Sequence, residues 1–170
     1  LPSDRPRPPR QDIIGAMHSV TLNEATTTQL RSHATHAETS LFAALAAAFK
    51  AFLYRITGEV DITLGTPVAG RDHPDYADHI GLFLNQVALR STITPDAGFA
   101  DLLQTTTRTV IDALDHGTTP FDQVIDAIGA ERDLSRSPLF DAMIVMQEQG
   151  HSELDFGGVT LVPEVTNAPV

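Results

Sequence analysis

The stretch that most constrains the fold of this chain is HIGLFLNQVALR, His79 to Arg90, an apolar run broken near its middle by two carboxamides, Asn85 and Gln86. Side chains alternate between the two faces of a strand, so Phe83, Asn85, Val87 and Leu89 fall on one side and Leu82, Leu84, Gln86 and Ala88 on the other. Both rows read as buried. A buried amide without partners costs on the order of 1–3 kcal/mol. Any fold that accepts this strand must therefore supply Asn85 with hydrogen bonds, either from a ligand or from backbone across the domain.

The neighbouring patterns place that strand among helices. Leu41, Leu45, Phe49, Phe52 and Ile56 recur at spacings of three and four, which predicts a helix starting at Thr39 or Ser40 and closed by Gly58. Its alanines, 43, 44 and 46 to 48, suit close packing on a neighbour. Asn23 predicts the cap of an earlier helix through EATTTQLRSHATHA. DITLGTPVAGR reads as a strand ending in a Gly/Pro turn, followed by the polar loop Arg71 to His79. FADLLQTTTRTVIDALDH repeats Phe99, Leu102, Leu103, Thr106, Val110 and Leu114 at the helical period, and Pro120 opens a shorter helix, PFDQVIDAIG. IIGAMHSVTL, LFDAMIVMQ and LDFGGVTLVPEV read as further strands. The order β-α-α-β-β-α-α-β-β predicts an α/β (α+β) fold, a mixed β-sheet flanked by helices. The first 12 residues hold four prolines within LPSDRPRPP and predict an extended linker, with residues 13–170 forming the folded unit.

Composition narrows the function. With 170 residues, 42% of them hydrophobic, the chain can bury one core, and a net charge of -11 disfavours nucleic acid and anionic membranes as partners. Cysteine is absent, so nothing requires an oxidising compartment and a cytoplasmic location is expected. No apolar run reaches the length of a membrane span.

Individual residues offer little chemistry of their own. No G-x-S-x-G elbow occurs, and Ser135 and Ser137 read as turn residues. GTPVAGRD lacks the Lys and hydroxyl of a phosphate loop. His33 with His36, and His73 with Asp75, Asp78 and His79, lack the fixed scaffold of a metal site, so no metal is expected. His116 ends a helix, where it suits the terminal carbonyls. Arg71, Arg90, Arg132 and Arg136 lie at strand ends or in loops rich in Asp, where ion pairs would fix backbone. Lys50, the one lysine, reads as part of an amphipathic helix.

Taken together, LPSDRPRP, GTPVAGR, IGLFLNQVALR, HGTTPFDQV and RDLSRSPLF, in that order, resemble the second half of a condensation domain of nonribosomal peptide synthetases. The resemblance implies a chloramphenicol-acetyltransferase-like fold of two lobes facing a tunnel, of which this chain matches the C-terminal lobe. It implies amide-bond formation between a donor thioester and an acceptor amine, both carried on phosphopantetheine arms of carrier proteins. The implied partners are the N-terminal lobe, donor and acceptor peptidyl carrier proteins and adjacent synthetase domains. The family's His-His-x-x-x-Asp-Gly motif is absent here, so no catalytic residue is expected in this chain. Asn85, Gly81 and Gln86 are then tunnel-facing, and Arg71, Arg90, His116, Pro120, Phe121, Arg132, Asp133 and Arg136 belong to the structural motifs. Leu84, Gln86 and Gly117 depart mildly from the family pattern. Two other readings are a carrier-binding module without catalysis and a free-standing acyltransferase of the same superfamily. An isolated lobe is expected to self-associate weakly through its uncovered faces.

Overall fold

The structure is a computed structural model that describes residues 1–11, 15–71, 73–76, 78–130 and 133–147. In chain order it contains α1 (Glu24–His36), α2 (Leu41–Thr57), β1 (Asp61–Val68), a 3-10 turn (Pro74–Tyr76), β2 (Asn85–Thr92), α3 (Phe99–Asp115) and α4 (Phe121–Ile128).

The helix ends follow from single residues. The Asn23 side chain accepts the Thr26 N–H at 2.8 Å and starts α1. Ser40 Oγ accepts the Ala43 N–H at 3.1 Å and starts α2. Gly58 ends α2 in the left-handed region, φ 73°, where a side chain would be strained. Gly98 precedes α3, its N–H held by Asp101 Oδ2 at 3.1 Å.

β1 and β2 pair antiparallel from Asp61↔Thr92 to Val68↔Asn85. A third segment joins on the other edge of β1: the Gly65 N–H donates to the Ala142 carbonyl, and the Ile144 N–H to the Gly65 carbonyl, each at 2.9 Å. This contact is a single parallel bridge between Gly65 and Met143 beside the two-stranded antiparallel sheet. Register places Ile62, Leu64 and Thr66 opposite Ser91, Leu89 and Val87 on one face. Against that face the core gathers Ala43 and Leu53 of α2 and Val110 of α3, with Ile93 just beyond β2. α1 packs on α2, and α4 touches β2.

Four expectations are corrected. Gly15 to Leu22 form no strand and lie exposed, paired with neither β1 nor β2; residues 13 and 14 lie outside the described ones. The strand expected from His79 begins only at Asn85, because Gly70, φ 63°, turns the chain away from the sheet after Val68. LFDAMIVMQ contributes a single bridge rather than a strand. LDFGGVTLVPEV and Arg132 lie outside the described residues. α2 also turns a different side inward: Ala43, Ala46, Ala47, Lys50 and Leu53 are buried, whereas Phe52 and Ile56 are exposed. Small side chains let the helix approach its neighbours closely, and the larger stripe is left half uncovered.

Candidate functional site

Asn85 opens β2, and its carboxamide reaches the turn that joins α3 to α4. Nδ2 donates to the carbonyls of Gly117, at 2.8 Å, and Thr119, at 2.6 Å, and Oδ1 accepts the Phe121 N–H at 3.1 Å. Pro120 occupies the N-cap of α4 and has no side chain able to cap it, so Asn85 satisfies the first free N–H of that helix from another element. The polar residue in the apolar run is thereby accounted for. Both donors and one acceptor lone pair are spent on backbone, and one lone pair remains.

The same turn is braced from α3. His116 is its C-cap residue, and its Nδ1 donates to the Asp112 carbonyl at 2.8 Å, as expected for a residue ending that helix. Gly117 is buried, its N–H donating to the Leu114 carbonyl at 3.0 Å. The Phe121 ring lies 5.5 Å from that of Phe140, which carries the RDLSRSPLF loop onto the sheet.

Preceding β2, the loop from Arg71 to Leu84 is organised around one guanidinium. Arg71 donates to the carbonyls of Tyr76, His79 (2.9 Å) and Gly81 (3.3 Å) and sits 4.3 Å from the centre of the Phe83 ring. Among the described residues no carboxylate pairs with Arg71, so it binds carbonyls where an ion pair was expected. The Tyr76 ring lies 5.4 Å from Phe83 and 6.4 Å from His79. Ile80, Leu82 and Leu84 stand out from the surface, 104%, 87% and 63% exposed, which corrects the expectation that both rows of this segment are buried. Gln86, beside Asn85, is also exposed.

Arg90 and Arg136 form the expected ion pairs. Arg90 holds Asp61 through Nε at 2.9 Å and Nη2 at 2.6 Å, and this hydrogen bonding keeps the Asp61 carboxyl below the usual carboxylate range. Arg136 meets Asp133 at 3.5 Å and Asp141 at 3.9 Å, and Arg7 meets Asp141 at 3.5 Å. Asp133 also accepts the Ser135 N–H at 2.8 Å, and its hydrogen bonds to Ser135 are the largest cause of its lowered pKa.

Lys50 was missed as a distinctive residue. It is fully buried, and its Nζ donates to Ser91 Oγ at 2.6 Å. Burial alone lowers its pKa to about 8, and no charged group contributes. Its position three residues after Ala47, on the alanine face of α2, is the signal that places it inside. Apart from Lys50, the groups at this site spend their hydrogen bonds on backbone or on a neighbouring carboxylate. That pattern suits a scaffold that positions chain rather than an acid–base centre.

The site thus lies where β2 of a two-stranded antiparallel sheet is tied to the turn between α3 and α4. The condensation-domain family model matches residues 1–162, and the chain belongs to that family. Gramicidin S synthase 2 of Brevibacillus brevis is 36% identical over 168 residues, 99% of this chain and 4% of that protein. A holo four-domain nonribosomal peptide synthetase bound to AMP and glycine superposes with TM-score 0.85 at 27% identity, over 88% of this chain and 11% of that one. The condensation domain of the monacolin K polyketide synthase shares the fold, TM-score 0.67 at 21% identity, over 84% of this chain and 38% of that one. The chain thus spans a small part of its curated relative's length.

Proposed function

We propose that this chain is the C-terminal lobe of a condensation domain in a cytoplasmic nonribosomal peptide synthetase. With an N-terminal lobe it joins a donor thioester to an acceptor amine, each delivered on the phosphopantetheine arm of a carrier protein. The observation that carries the reading is the segment leading into β2. Its backbone is held in place while Ile80, Leu82 and Leu84 face outward, uncovered by any described residue. Contiguous exposed apolar side chains call for a partner surface. The family supplies one, since the chain covers 38% of a related condensation domain.

In this reading the lobe aligns rather than reacts. Attack of the amine on the thioester carbonyl gains most from holding two tethered reactants in register, and the proton and oxyanion are managed by groups of the other lobe. Gly81 and Gln86 line the tunnel. Asn85 shapes it by fixing the HGTTPF turn, with its donors occupied. Asp133 and Arg136 of the RDLSRSPLF loop brace the outer side, and the proline-rich opening segment connects the lobes.

Coupling measured by mass spectrometry of the acceptor carrier tests this. The complete domain transfers the donor to the acceptor, and the 170-residue chain alone transfers nothing. Coupling by the isolated chain would sink the proposal.

A further inference from the structure

One guanidinium gathering three carbonyls is an unusual use of an arginine in a loop. Those carbonyls belong to Tyr76, His79 and Gly81, spread over the chain between β1 and β2. An extended chain sends alternate carbonyls to one side. Holding His79 and Gly81 by their oxygens therefore fixes the register of the residues between and after them. Phe83 closes the arrangement: its ring lies 4.3 Å from the guanidinium, a cation–π contact that sets how far the loop stands from Arg71. Gly70 makes room on the other side. It adopts φ 63°, and a Cβ there would collide with the Phe83 carbonyl, so the turn before Arg71 and the segment after Gly81 touch backbone to backbone.

We propose that Arg71 is a positioning residue for amide-bond formation: it locks the register of residues 79–84, so that Ile80, Leu82 and Leu84 meet the N-terminal lobe and Gly81 faces the tunnel. The occupant of this face is the remaining part of the same domain, because the chain accounts for 38% of a related condensation domain and the exposed residues adjoin the strand that ties the lobe together. The inference rests on the function proposed above. Lysine cannot replace Arg71, since a single ammonium does not span three carbonyls in the fixed directions of the guanidinium fork.

Two measurements on the complete condensation domain test this. Hydrogen–deuterium exchange of residues 78–84 reads the lock itself, and steady-state coupling with loaded carriers reads its consequence. Arg71→Ala and Arg71→Lys both speed exchange in this segment. Both lower kcat on the order of tenfold, with KM for the carriers and the melting temperature unchanged. Phe83→Leu gives a smaller change in the same direction. Unchanged exchange in Arg71→Ala overturns the lock. Faster exchange with unchanged kcat overturns its role in the reaction. If the unsubstituted domain fails to couple at all, the functional reading fails, while exchange still judges the lock separately.

Discussion

Gly65 and Phe140 occupy one space from two sides: Gly65 is buried in the middle of β1, and a Cβ built on it would overlap the Phe140 ring. The ring is 6% exposed and is brought there by the backbone bonds of Gly65 to Ala142 and Ile144. Gly65→Ala should therefore destabilise the chain by about 1–3 kcal/mol through overpacking. Phe140→Leu, made in the Gly65→Ala background, should recover part of that loss. A double-mutant cycle by urea unfolding checks it, and additive effects would show that the two residues do not share the space.

Asn85→Ala leaves two carbonyls and one N–H at the α3–α4 turn without their partner, and a loss of about 2–3 kcal/mol is expected. Asn85→Asp should cost more. It keeps the acceptor for Phe121 but turns a carboxylate oxygen toward the Gly117 and Thr119 carbonyls, where donors stood. Denaturation midpoints measure both. An Asn85→Ala variant with an unchanged midpoint and lost coupling would assign the amide to substrate instead.

Lys50 predicts an alkaline rise in stability. Burial lowers its pKa in the folded chain to about 8, against 10.5 when exposed. Below pH 8 both states carry the proton, and folding bears the full cost of burying an ammonium. Between pH 8 and 10.5 the unfolded chain holds a proton that the folded chain has released, so stability climbs with pH. Lys50→Met should remove that climb and stabilise the chain at pH 7, offset by the hydrogen bond that Ser91 loses with the ammonium. Urea unfolding from pH 7 to 10.5 checks both effects. A flat profile for the unsubstituted chain would refute the burial.

The outward row Ile80, Leu82 and Leu84 should make the chain self-associate at high concentration, because it adds apolar area to a surface that no described residue covers. Serine at all three positions should return the sedimentation profile to that of a monomer with the fold unchanged. A monomeric parent chain under the same conditions would show that the row is covered by other means.

Three helix ends were legible because each depends on one residue and its neighbours: Asn23, Ser40 and Gly58 act within a turn of the positions they cap, whereas the start of α4 at Pro120 draws its cap from Asn85 in another element. β1 and β2 were legible as two apolar runs joined by a Gly/Pro turn and loop, but their antiparallel pairing and register were not, since they depend on contacts between segments. The side of α2 that faces inward was not. Periodicity marks the large residues Phe52 and Ile56, while close approach selects alanines, and among the described residues nothing covers the large stripe. Lys50 was passed over for the same reason: its burial is a property of α2, β2 and Ser91 together. Among the candidate residues, Arg90, His116 and Arg136 took the roles expected from local charge. Arg71 took carbonyls instead of a carboxylate, because the loop folds back around it over ten residues, a distance at which charge pattern gives no guide.

The proline-rich opening segment reads as a tether, yet it is fastened. The Gln11 N–H donates to the Leu134 carbonyl at 2.8 Å, and Arg7 reaches Asp141, so the beginning of the chain is bolted to the loop that delivers Phe140 onto the sheet. A truncation that starts at residue 13 would look harmless by composition. It would unfasten that loop and, with it, the ring that fills the space above Gly65.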